Sequence, residues 1–163
     1  MTEVDLKLLK SDLNKVLKKY YNGTFIENDP IGIPHKFSLL QDIEISAFIT
    51  AMISWGNRKS IINNANQLMA LFDNAPYDFI RNHSKNDLVK IQNFKHRTFQ
   101  YSDALGFIAV LKNHYSKYNS LESAFVSGDD FISIKESITD FHNYFFNDET
   151  IIQSRTKKHI STP

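Results

Sequence analysis

Three clusters in this sequence hold residue types that do chemistry. The first is Ser54-Trp55-Gly56-Asn57-Arg58-Lys59-Ser60, which sets an aromatic ring, a glycine, an amide and two cations side by side. If a helix starts at this point, its free N–H groups and the positive end of its dipole face outward and suit an anion. Arg58 and Lys59 add charge, and Arg58 or Asn57 is long enough to reach a base edge. The plainer reading is a Gly-Asn turn with two solvated cations and Trp55 buried in the core. The segment is not a P-loop, because no strand precedes it and the second glycine is missing. The second cluster is Lys95-His96-Arg97, with Phe94 and Phe99 beside it. Basic residues interleaved with aromatics suit a nucleic-acid strand. A basic loop resting its aromatics on the core explains the same residues equally well. Asn57, Arg58, Lys59, Lys95, His96 and Arg97 are therefore the candidate nucleic-acid contacts.

The third cluster is Glu27, Asn28, Asp29 and His35, followed by Asp42 and Glu44. Carboxylates with a histidine ligate hard or borderline metals, but this spacing matches no metal motif. Asp42 and Glu44 stand two apart, so on a helix they face different ways. Asp29 before Pro30 initiates a turn, Asp42 suits a first helical turn, and His35 after Pro34 can satisfy a local backbone group. No metal and no cofactor is expected. Asp29, His35, Asp42, Glu44 and Trp55 remain as residues of a signature segment, structural or binding. The chain has no G-x-S-x-G, no G-x-G-x-x-G and no H-E-x-x-H, so no catalytic residue is assigned.

These clusters need elements to position them. The chain has 163 residues, 13 Phe and 7 Tyr against only 5 Gly and 4 Pro, so punctuation is sparse and elements are long. Their apolar spacing is helical. Leu6, Leu9, Leu13, Val16, Leu17 and Tyr20 recur at three and four, with Thr2-Glu3-Val4-Asp5 as a capping box. A second helix, over about 39–55, carries Ile45, Phe48, Ala51, Met52 and Trp55. A third carries Ile61, Ile62, Ala65, Leu68, Met69 and Phe72, with Gly56 ending one helix and Asn57 capping the next. Pro76 opens a short helix and Ser84-Lys85-Asn86-Asp87 another. Residues 92–100 read as a loop. Ser102 starts a longer helix with Leu105, Ile108, Leu111, Lys112 and Tyr115 on one face. A turn lies at 120–125, and a last helix runs from about Phe131 to Phe146 with Ile134, Ile138, Phe141 and Phe145 inward. No segment alternates long enough for a sheet. The expected fold is all-α: a compact domain of about six to eight helices with an ordered irregular loop at 22–37. In that loop Ile26, Ile31 and Ile33 should pack on the second helix.

Composition narrows the classes further. Cysteine is absent, which excludes disulfides, thiolate metal sites and a cysteine nucleophile and fits a reducing, cytoplasmic setting. No apolar run approaches the ~18 residues of a membrane helix, so no membrane partner is expected. Net charge is +1, too small to select a partner class.

Residues 25–58 hold three motifs unbroken: F-I-x-x-D-P-I-x-I-P-H-x-F from Phe25 to Phe37, D-I-E-I from Asp42 to Ile45, and W-G-N-R from Trp55 to Arg58. In these the chain resembles a bacterial family of conserved proteins of unknown function, whose members are longer. The layout from Asp42 to about Phe125 remotely resembles the helix-hairpin-helix DNA glycosylases. Phe48 to Ser54 is similar to their helix F-x-x-L-I-x-x-I-L-S, Gly56-Asn57-Arg58 to the polar turn that follows, and Lys59 to Phe72 to the second helix. Residues 76–91 match their two short helices and 101–118 the longer one, with N-F-K-H-R in the small loop between. The resemblance implies that the polar turn lies against DNA, where a base is flipped from the stack. The glycosylase hairpin L-P-G-V-G and the catalytic Asp beyond it are not recognisable here.

The expectation is thus one helical domain over 1–163, the N-terminal part of a longer, glycosylase-like DNA-binding or repair protein, inactive alone. On that view apolar surface near Ile151 and Ile152 is left uncovered, and the C-terminal region self-associates. Two alternatives stand beside it: a helical scaffold or protein-interaction module, marked by an exposed apolar patch, and a small-molecule site walled by the 22–37 loop and the second helix, marked by an enclosed polar pocket near His35.

Overall fold

The computed structural model describes residues 3–125 and 133–146, and these are mostly helical. The α-helices are α1 (Glu3–Tyr20), α2 (Gly23–Glu27), α3 (Leu40–Met52), α4 (Arg58–Leu71), α5 (Pro76–Asn82), α6 (Lys85–Lys90), α7 (Tyr101–Tyr115) and α8 (Ile134–Phe146). Short 3-10 turns occupy Pro30–Gly32, Pro34–Lys36 and Leu121–Ala124. The all-α expectation holds, with one addition. Lys95–His96 (β1) and Phe99–Gln100 (β2) pair antiparallel, Lys95 opposite Gln100 and His96 opposite Phe99. Two-residue strands are too short to leave an alternating pattern, so the segment reads as a loop in sequence.

Caps follow local chemistry. The Asn57 side-chain oxygen accepts from Ser60 N–H at 3.2 Å, as expected of a cap for α4. Ser84 and Asp87 form a reciprocal capping box on α6. The Asp87 carboxyl is held well below the usual carboxylate range, first by its bond to Lys90 and then by Ser84. The 22–37 segment is ordered, but as one helical turn and two 3-10 turns. Pro30 and Pro34 each sit at the start of a 3-10 turn, where a missing N–H is no loss.

The second helix ends earlier than expected. α3 stops at Met52 with Ile53 as its C-cap, and Ser54 N and Trp55 N close onto Ala51 O and Ile53 O. Gly56 follows as the left-handed residue (φ +108°) rather than as the helix stop. That shift takes Trp55 off the apolar face of α3.

α3 lies at the centre, touching α4, α5 and all three 3-10 turns. The core beneath it is aromatic. Phe107, 1% exposed, meets Phe48, Phe99, Phe145 and Phe146 at ring separations of 5.4–6.5 Å. Asp42 and Glu44 tie α3 to other elements. Asp42 Oδ1 accepts from Tyr77 N at 2.8 Å. Glu44 accepts from the Ser120 hydroxyl (2.6 Å), the Tyr115 hydroxyl (2.9 Å) and Leu121 N (2.9 Å). Burial first, and the bond to Glu44 second, push the Tyr115 hydroxyl far above its ordinary range.

Three packing expectations need correction. Ile33 is buried, but Ile31 is 49% exposed on the outer side of its 3-10 turn, and Ile26 is half-buried. On α8, Phe141 and Phe145 face inward while Ile134 and Ile138 are exposed. The α1 stripe is amphipathic, yet Leu6, Leu9, Leu13, Val16, Leu17 and Tyr20 are all about half exposed. Ile151, Ile152, Phe131 and Thr2 lie outside the described residues.

Candidate nucleic-acid interface

The first two sequence clusters meet. The turn between α3 and α4 and the β1–β2 hairpin are joined through Trp55, whose exposed indole carries the Arg97 guanidinium 4.4 Å from its ring centroid, a cation–π contact. Arg97 itself takes a left-handed φ of 56° at the hairpin turn. Gly56 makes this approach possible, because a Cβ on it would lie 2.6 Å from Arg97 Nη1. Glycine is thus required twice at this position, for its φ and for its lack of a side chain.

His96 stands under the contact. It is 3% exposed. Its Nδ1 lies 3.0 Å from the Asn64 side-chain amide of α4, and its Nε2 lies 3.5 Å from the Trp55 carbonyl oxygen. With Nδ1 accepting from Asn64, the Nε2–H points at that carbonyl. His96 is a candidate contact by sequence, but its side chain faces inward, where it fixes the hairpin against the turn. Asn64 was not singled out in sequence. A helical Asn four residues after Ser60, bonded to Ser60 O at 2.8 Å, has no signal beyond its type.

Trp55, Gly56, Asn57, Arg58, Lys59, Lys95 and Arg97 are all exposed. Trp55 is 41% exposed, so the reading that places it in the core fails. Arg58 opens α4 with 63% of its side chain exposed, and its Nη2 is 3.9 Å from Asp29 Oδ2. That contact is long and wet, so it neutralises little of the guanidinium. Arg58 and Lys59 thus open a 14-residue helix, and Arg97 reaches the Gly56 that precedes it. Dipole and side-chain charge have the same sign there, which favours an anion.

The signature residues divide by role. Asp29 Oδ1 accepts from Ile31 N at 3.1 Å and caps the first 3-10 turn. Asp42 and Glu44 are spent on the tertiary bonds described above. His35 is exposed and borders an apolar hollow of about 880 Å³ whose other wall is α1, with Leu13, Leu17 and Tyr20. The hollow near His35 is thus apolar, not polar. Among the described residues no three His, Asp or Glu side chains converge as a metal site would require.

A second hollow, of about 480 Å³, lies beside the Arg58 turn, between the Asp29–Pro34 segment and α3. Thr50 lines it. That residue is 3% exposed, and its hydroxyl oxygen is buried with no hydrogen-bond partner. Thr50 carries no signal in sequence, because one hydroxyl inside an apolar helix leaves no spacing pattern.

The model of a family of proteins of unknown function (DUF2400) matches residues 29–163. The chain belongs to this family. The match begins at Asp29 and takes in both clusters of the interface and the α3–α4 turn, while α1 and α2 lie before it. No curated protein and no solved structure matches the chain. Among the described residues no helix is long and apolar enough to cross a membrane.

Proposed function

We propose that this member of the family binds double-stranded DNA through the face built from the α3–α4 turn and the β1–β2 hairpin. On this reading the chain is the N-terminal helical part of a glycosylase-like protein, and it has no base-excising activity by itself. One observation carries the reading. Arg97 of the hairpin rests on Trp55, three residues before Arg58, although the two segments are 41 residues apart at Trp55 and His96. The chain as a whole has a net charge of only +1, so a four-cation face is a concentration of charge and not a sample of the average. Phosphates would be held by charge and helix dipole together. The exposed indole offers a stacking surface for a base, and the resemblance of Phe48–Phe72 to the glycosylase helices puts the same turn against DNA.

The test is duplex binding across a salt series with the intact gene product. Each phosphate contact contributes about 0.9 to the slope of log affinity against log salt. Arg58→Ala and Lys95→Ala should each lower the slope by about one and weaken binding alike for all sequences. Binding that is absent, or that ignores salt, would overturn the reading.

A second reading has an observation of its own. The exposed α1 stripe and its apolar hollow beside His35 suit a protein-interaction module. Duplex binding together with protection of the α1 stripe from solvent exchange would leave both surfaces in use. Protein capture without duplex binding would replace the first reading with the second.

A further inference from the structure

The apolar hollow between α1 and the 22–37 segment has a definite shape. Leu13, Val16, Leu17 and Tyr20 form one wall, and Phe25 and Ile31 stand on the other. All six are 40–58% exposed, so both walls leave apolar surface in water. The spacing on α1 says what fills such a space. Leu6, Leu9, Leu13, Val16 and Tyr20 recur by three and four in turn, which is the seven-residue repeat of a helix-on-helix seam. A seam of this kind takes side chains from a second helix. The far wall turns it into a groove, which holds a helix by its i, i+3 and i+7 side chains.

The groove also has a sign. α1 carries five lysines against three acids, and all three acids precede Leu13, where the hollow begins. Lys15 is bonded to Asp12 at 2.9 Å, and Lys19 lies over the Tyr20 ring, 5.2 Å from its centroid. Lys18 stands four residues after Asn14 and three before Tyr21, both of which line the hollow, and Lys10 stands three before Leu13. Residues at these separations are neighbours on a helix, so Lys10 and Lys18 border the groove. Neither makes an ion pair among the described residues. The acids of the far wall, Glu27 and Asp29, do not line it. A second copy of the chain would bring the same lysines to the groove, like charge against like charge. A bilayer presents a plane, and a plane does not enter a groove with two walls.

We propose that this groove binds an acidic amphipathic helix of another protein, with apolar side chains seated between α1 and the Phe25–Ile31 wall and carboxylates meeting Lys10, Lys18 and Lys19. The inference rests on the protein-interaction reading given above and adds the chemistry of the partner. It is independent of duplex binding.

The test uses the intact gene product and two synthetic helical peptides of about three heptads with leucine along the seam. One has glutamate at the flanking positions and the other lysine, so that like charges keep each from pairing with itself. Vesicles of phosphatidylglycerol and sedimentation of the protein alone complete the set. The variants are Leu17→Ala and the double change Lys10→Glu with Lys18→Glu, all at exposed positions where substitution leaves the fold in place. The expected result is that the glutamate peptide binds and the lysine peptide binds about tenfold more weakly. Leu17→Ala should weaken the glutamate peptide about tenfold, and the double charge variant should bring the two peptides within about twofold of each other. Equal binding of the two peptides, lost in Leu17→Ala, overturns the acidic partner and leaves the interaction module standing. Glutamate-peptide binding untouched by either variant places it elsewhere and ends the proposal. Vesicle binding or self-association lost in Leu17→Ala, in place of peptide binding, assigns the groove to a bilayer or to a second copy and likewise overturns it. No binding to any of these overturns the interaction reading as well.

Discussion

α1 is apolar along one stripe and α3 around most of its circumference, and the two meet opposite fates. In α3, Ile45 and Ile49 are within 2% of full burial, as is Ile53 at its C-cap. In α1, every member of the stripe is about half exposed. A stripe tells which residues share a face, and nothing in it tells what covers that face. The difference lies in the neighbours. α3 is bonded outward through Asp42 to α5 and through Glu44 to α7 and the Leu121–Ala124 turn, whereas the C-terminal end of α1 meets the next segment through the Tyr20–Phe25 edge contact and the Asn22 amide on Lys19 O. The face proposed to bind DNA is built on the tightly held side, where packing can fix the position of a turn.

The comparison can be broken first in the aromatic core. Phe107→Ala removes a ring packed on four others, and the expected cost is about 3–5 kcal/mol by denaturant unfolding. A cost below about 1 kcal/mol would mean that the α3–α7–α8 core is not the stabilising unit. Glu44→Ala should come next, at about 2–3 kcal/mol, because it strips acceptors from Tyr115, Ser120 and Leu121 N together.

Gly56→Ala sharpens the contrast at the site itself. The left-handed φ alone makes alanine cost about 1 kcal/mol, and the new methyl must push the Arg97 guanidinium off Trp55. A change in Trp55 fluorescence, in a chain with a single tryptophan, should accompany the loss. The smallest effect belongs to α1. Leu13→Ala should change unfolding free energy by no more than about 0.5 kcal/mol, the value of an ordinary surface substitution. A cost of 2 kcal/mol or more (roughly that of a buried leucine) would show that something covers the stripe in solution.

Much of the helical order was legible because caps are local. Asn57, Ser84 with Asp87 and Pro76 each announce a start within three or four residues, and each start stands where that chemistry puts it. The irregular 22–37 segment was legible as ordered but not as helical turns, since Pro30 and Pro34 break an α-helix and open a 3-10 turn with equal ease. The approach of the hairpin to the Trp55–Gly56 turn could be anticipated from helices packed in succession. The inward turn of His96 could not, because a buried histidine and a contacting one have the same letter and the same basic neighbours. Trp55 escaped the core for a reason of register: α3 ended three residues before it, so the helical period no longer applied.

The central claim is that the Trp55–Lys59 turn and the Lys95–Arg97 hairpin act as one phosphate-binding face. The most direct measurement is an amide and indole N–H chemical-shift titration of the intact gene product with a short duplex. The account predicts that Gly56, Asn57, Arg58, Lys59, Lys95 and Arg97 and the Trp55 indole shift together along one binding curve, with the α1 amides of Leu6 to Tyr20 unmoved. Shifts confined to α1, or shifts at the turn without the hairpin, would contradict it.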